Sequence, residues 1–101
     1  MAIVTGPRQV ITVLTASVGL AAATLIPTSG AFLGKKCCKI NIQAKDQGIY
    51  IAWDGADADN TGFQLNVGDT FELPGYYNIV NFRALEMAAT ANLIVFPSYL
   101  V

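Results

Sequence analysis

From residue 38 onward, apolar and polar side chains alternate with the period of two that belongs to a strand buried on one face. Cys38, Ile40, Ile42 and Ala44 fall on one face, and Cys37, Lys39, Asn41 and Gln43 on the other. Lys45-Asp46-Gln47-Gly48 then supplies a polar turn, after which Ile49, Ile51 and Trp53 alternate with Tyr50, Ala52 and Asp54, so a hairpin is predicted. Residues 55–62 are small and turn-forming, which predicts a rim loop. Phe63, Leu65 and Val67, a Gly68-Asp69 connection, and Phe71 and Leu73 predict a second hairpin ending at Pro74-Gly75. Tyr76 to Ile79 is expected to run along a sheet edge, followed by Val80, Phe82 and Ala84 as the next inward set. Leu85 to Thr90 reads either as one helical turn or as a connection, and Ala91, Leu93 and Val95 form the last inward set before Pro97.

The N-terminal third follows a different pattern. Gln9 to Gly34 carries no charged side chain, and Val10 to Ile26 approaches the roughly 20 apolar residues of a membrane-spanning helix. Arg8 ahead of it and Ser29-Gly30-Ala31 behind it imitate a signal peptide. Against both readings, Thr12, Thr15, Ser17, Gly19 and Thr24 interrupt the run, and the β-branched Val10, Ile11, Thr12, Val13 and Thr15 suit a pleated strand. A chain that still carries Met1 is also expected to be uncleaved. Strand plus loop is the favoured expectation, with an exported or anchored chain as the alternative.

These segments amount to six to eight short strands without the amphipathic helices that a parallel α/β sheet requires. The expected fold is all-β: an antiparallel β-sandwich or jelly-roll-like barrel. Residues 1–16 form an N-terminal arm or first strand, and residues 17–101 a single β-sandwich domain. Composition sharpens this picture, since 53% of the 101 residues are hydrophobic and 13% charged. A small core cannot hide so much apolar surface, so contact with another subunit is expected. The net charge of −1 gives no electrostatic footprint for nucleic acid or an anionic membrane.

Candidate chemistry is sparse. Nucleophilic catalysis by Cys37 or Cys38 lacks its usual base, because the chain has no histidine. Asp57, Asp59, Thr61 and Gly62 fit the early positions of a calcium loop, but Gly68 stands where the bidentate Glu belongs, so a solvated turn is expected. Gly30 to Lys36 imitates a phosphate loop with one residue too few between its glycines and no hydroxyl after the lysine. No catalytic residue, metal or cofactor is therefore expected. Trp53, Tyr50, Tyr76, Tyr77 and Tyr99 suit either a core or subunit contacts better than a sugar platform.

The progression CKINIQAKDQGIYIAWDG, GFQLNVGDTFELP, IVNFRAL and TANLIVF resembles small β-sandwich virion proteins of tailed bacteriophages. Those are the capsid decoration or cement proteins and related adaptor or fibre-base modules. The resemblance covers a little over half the chain and leaves the N-terminal third unmatched. It implies a non-enzymatic protein assembled in the host cytoplasm that sits on the capsid surface, binds the major capsid protein and stabilises the shell, often as a homo-trimer. The residues expected at such an interface are Val10, Ile11, Val13, Lys35, Lys36, Tyr76 and Tyr77. Val10, Ile11 and Val13 would add a strand to a neighbour, and deletion of residues 1–16 is expected to abolish particle binding while the fold survives. The alternatives are a phage tail adaptor, fibre-base or spike module, or an exported bacterial β-domain that binds sugar or peptide.

Overall fold

The computed structural model describes residues 2–12 and 14–101. Its strands are β1 (Ile3–Thr5), β2 (Gln9–Ile11), β3 (Cys37–Lys45), β4 (Ile49–Ala52), β5 (Phe63–Leu65), β6 (Thr70–Pro74), β7 (Arg83–Glu86) and β8 (Asn92–Leu100). Two short helices interrupt them, α1 (Ala22–Leu25) and α2 (Tyr76–Asn81). In the larger sheet β8 lies between β3 and the pair β1 and β2, and β6 flanks β3; in the smaller sheet β4 lies between β5 and β7. Every pairing is antiparallel. Val18 extends the smaller sheet by a bridge to Ala84, and the Glu86 N–H donates to the Leu14 carbonyl at 2.9 Å.

The pairs are nested: β1 and β2 with β8, the residue 14–18 segment with β7, β3 with β6, and β4 with β5. Wrapped over two sheets, this is the jelly-roll form of an antiparallel sandwich. The sheets bury a common core that includes Ile40, Ile42, Ile49, Ile51, Leu93 and Val95.

The nesting corrects both predicted hairpins. The turn after β3 delivers β4 to the other sheet, and the Gly68-Asp69 turn carries the chain from β5 back to β6. Alternation tells which side chains face inward but not which strand lies beside which. A strand that crosses to the opposite sheet keeps the same inward row as one that folds back within its own.

Three further elements depart from expectation. Residues 76–81 form helix α2, although Tyr, Ile and Val favour strands. Gly75 has a φ of 93° and turns the chain out of β6, the Asn78 side chain donates to the Pro74 carbonyl, and Ile79 is fully buried. Crossing between the sheets here takes one and a half turns of helix, so tertiary burial overrides local propensity. A bulge lies between Cys37 and Lys39, so Cys37, not Cys38, joins Ile40, Ile42 and Ala44 in the buried row. Finally, β8 continues through Pro97 to Leu100. The proline faces the break between β1 and β2, where the Gly6 N–H donates to its carbonyl, and an interrupted ladder tolerates it.

The N-terminal segment is woven into both sheets. Ile11 and Leu14 are core residues, the short helix α1 follows the Val18 bridge, and no helix among the described residues is long and apolar enough to cross a membrane. A chain lacking residues 1–16 is therefore expected to lose its cooperative melt, in contrast to the survival that a detachable arm implies. In urea denaturation, Leu14→Ala should cost about 2–5 kcal/mol. Val10→Ala, on the exposed face of β2, should cost less than about 1 kcal/mol.

Candidate functional site

The buried polar chemistry of the chain is structural. Cys37 and Tyr99 are cross-strand neighbours in the core. The Tyr99 ring stacks on Phe32 at 4.8 Å between centroids, and its hydroxyl donates to the Thr24 carbonyl. The Thr24 hydroxyl in turn donates to Gln9 Oε1 at 2.7 Å. These contacts strap residues 24–32 over β2 and β8 beside the groove that Arg8, Thr28 and Ser29 also line. Burial pushes the Cys37 thiol up from its ordinary 9.0. It pushes the Tyr99 phenol from 10.0 up to about 12, with a smaller contribution from the Cys37 charge. A raised thiol pKa lowers the fraction of thiolate, the form that attacks as a nucleophile.

The acidic loop between β4 and β5 is also occupied with itself. Asp54 Oδ1 accepts the Ala56 N–H, and Asp59 Oδ1 accepts both the N–H and the hydroxyl of Thr61. The Thr61 hydroxyl, then its N–H, hold the Asp59 carboxyl below its ordinary value. Among the described residues no group of three or more His, Cys, Asp or Glu side chains converges as a metal site would.

Contact chemistry is better developed at the surface. The expected interface residues fall into two places. Lys36 Nζ stands 5.0 Å from the Tyr76 ring centroid, and Tyr76 meets Tyr77 edge to face at 5.6 Å. Lys35 is the chain neighbour of Lys36 and is exposed, and Tyr77 is 76% exposed. The N-terminus of α2 and the start of β3 form this corner, with the Gly75 N–H donating to the Cys38 carbonyl at 2.9 Å. Val10 lies elsewhere, on the outer face of the larger sheet opposite Ile94, while Ile11 points into the core. Val13 lies outside the described residues.

Sequence reasoning missed a second surface feature. Trp53, Phe63 and Phe71 form an aromatic cluster, with Trp53 and Phe71 stacked at 5.1 Å and Phe63 and Phe71 at 5.0 Å. All three continue inward-facing rows of β4, β5 and β6 where the sandwich opens at its side. Trp53 and Phe63, with Asp54, line an open apolar cleft of about 300 Å³. The signal was present as three aromatic side chains at inward positions, but their meeting depends on strands in two sheets.

Comparison with protein-family models, with curated proteins and with solved structures finds no match to this chain. The resemblance to virion proteins therefore rests on the sequence pattern alone, and the jelly roll does not choose among functions, because the same form serves viral capsid and lectin domains.

Folding raises the affinity of both Cys37 and Tyr99 for their protons. Their stabilising contribution is thus intact at neutral pH, begins to be lost as pH rises past 9.0 for Cys37, and is lost between 10.0 and about 12 for Tyr99. The melting temperature should be flat from pH 6 to 8 and fall above pH 9, and Tyr99→Phe should flatten the later part of that fall.

Proposed function

We propose that this chain is a non-catalytic structural protein of a phage virion that binds the outside of the capsid and stabilises it as a decoration or cement protein. The observation that carries the reading is the Lys36, Tyr76 and Tyr77 stack, an aromatic and cationic corner in which Tyr77 is 76% exposed. Tyrosine anchors dominate the energetics of many protein interfaces, and a pre-stacked pair loses little side-chain entropy on docking. Lys35 and Lys36 favour an acidic rim on the capsid protein. Among the described residues, ten large hydrophobic side chains lie exposed on the chain alone, which fits a protein that works by contact. The neutral Cys37 and the scattered, solvated carboxylates fit the absence of a reaction.

Co-sedimentation with empty shells of the cognate major capsid protein tests this reading. The wild-type chain should pellet with shells, and Tyr77→Ala or the double variant Lys35→Glu/Lys36→Glu should weaken binding about tenfold or more while leaving the melt unchanged. Binding that ignores both variants would remove this corner from the interface. A wild-type chain that stays in the supernatant with shells, but is recovered on purified tails, would replace decoration by an adaptor role.

A further inference from the structure

The charges of the chain are sorted along its length. Residues 1–45 hold five Lys/Arg and no Asp/Glu, whereas residues 46–101 hold seven Asp/Glu and one Arg. Folding hardly neutralises them: among the described residues the one ion pair is Lys39 to Glu72 at 3.5 Å. Two apolar surfaces carry this imbalance. On the outer face of the larger sheet, Val10, Ile94 and Phe96 form a row flanked by Arg8 and Lys45. Phe96 is 38% exposed and Val10 48%. The nearby Asp46 carboxylate is engaged by the Asn92 side chain. At the open side of the sandwich, the cleft between Trp53 and Phe63 carries Asp54 at its edge, and Asp57 and Asp59 follow in the same loop.

We propose that this chain binds a second copy of itself head to tail, Phe96 of one copy entering the Trp53 and Phe63 cleft of the next, with Arg8 and Lys45 facing the acidic loop. The fit is chemical on both counts. An exposed apolar ring meets an apolar cleft, as at the centre of an interface, and opposite charges meet at its rim. Phe96 cannot reach the cleft of its own chain, because it points away from the core on β8 of the larger sheet, while the cleft is lined by residues at the ends of β4 and β5 in the smaller sheet. One junction leaves a free Phe96 face on one copy and a free cleft on the other, so the contact is heterologous and continues into a ring or an open chain. The corner of Lys36, Tyr76 and Tyr77 takes no part in it. Failure of the self-contact therefore leaves shell binding untouched, and failure of shell binding leaves the self-contact untouched.

The full chain, purified without shells, is the material for the test. Sedimentation velocity from about 5 to 500 μM should show mass rising with concentration, and emission from Trp53, the only tryptophan, should shift to shorter wavelength in step. Phe96→Asp should abolish the rise, as should Asp54→Lys/Asp57→Lys, each with an unchanged far-ultraviolet spectrum and melt. Should Phe96→Asp fail to fold, Arg8→Glu/Lys45→Glu replaces it. The decisive measurement mixes the two kinds of variant. The Phe96→Asp chain keeps its cleft and the Asp54→Lys/Asp57→Lys chain keeps its Phe96 face, so the mixture should form one junction and stop at the dimer. A wild-type chain that remains monomeric at every concentration overturns the proposal, as does assembly that survives either variant. A mixture that stays monomeric overturns it too, because a head-to-tail contact must be restored by complementary halves.

Discussion

The antiparallel ladder between β3 and β8 is the contact on which the other elements depend. It registers Cys37 with Tyr99, Ile42 with Val95 and Lys45 with Asn92, joining the middle of the chain to its C-terminus. β1 and β2 dock on the free side of β8, and β6 docks on the free side of β3. The inward row of this ladder, from Cys37 and Tyr99 through Ile40 and Ile42 to Ala44 and Leu93, is the floor on which the smaller sheet packs. Since the partners are far apart in sequence, the entropy of closing a long loop must be met before the ladder yields any burial. Folding of this nested topology therefore belongs to the slow, non-local class.

The same nesting explains what the chain reveals before it is folded. Alternation placed Ile40, Ile42, Ile49, Ile51, Leu65, Leu73, Phe82, Ala84, Leu93 and Val95 inside, and each is buried. The all-β fold followed from that alternation and from the turn residues between the strands. Pairing partners did not, because Asp46-Gln47-Gly48 serves a hairpin and a crossing between sheets equally well, and the choice is made by the ladder with β8. The helix at Tyr76 and the bulge at Cys38 were hidden for a related reason. Each is imposed by a crossing or a register that only distant strands define, against local propensity in the first case and local parity in the second.

Legibility of the surface follows the same division. Tyr76, Tyr77, Lys35 and Lys36 were expected at an interface, and the fold brings Lys36, Tyr76 and Tyr77 to one corner because the turn at Gly75 sits against the start of β3. Ile11 stood out for the same apolar character but belongs to the core, since one face of a three-residue edge strand points inward and residue type does not say which. The Trp53, Phe63 and Phe71 cluster could not be read from spacing, as its members lie just past β4, on β5 and on β6, in strands of two sheets.

The length of β3 also bears on the two proposed contacts. Lys36 precedes this strand and Lys45 ends it, so at about 3.3 Å per residue these two lysines lie roughly 30 Å apart, several screening lengths at physiological salt. Phe96, which pairs with Asn41, lies about 17 Å along the strand from Lys36. The cleft at Trp53 shares no lining residue with the tyrosine corner or the Phe96 face. If the chain touches both a shell and its own neighbours, as proposed, the contacts fall to side chains that the two sheets leave at the surface, while the buried thiol and phenol serve the packing of the core.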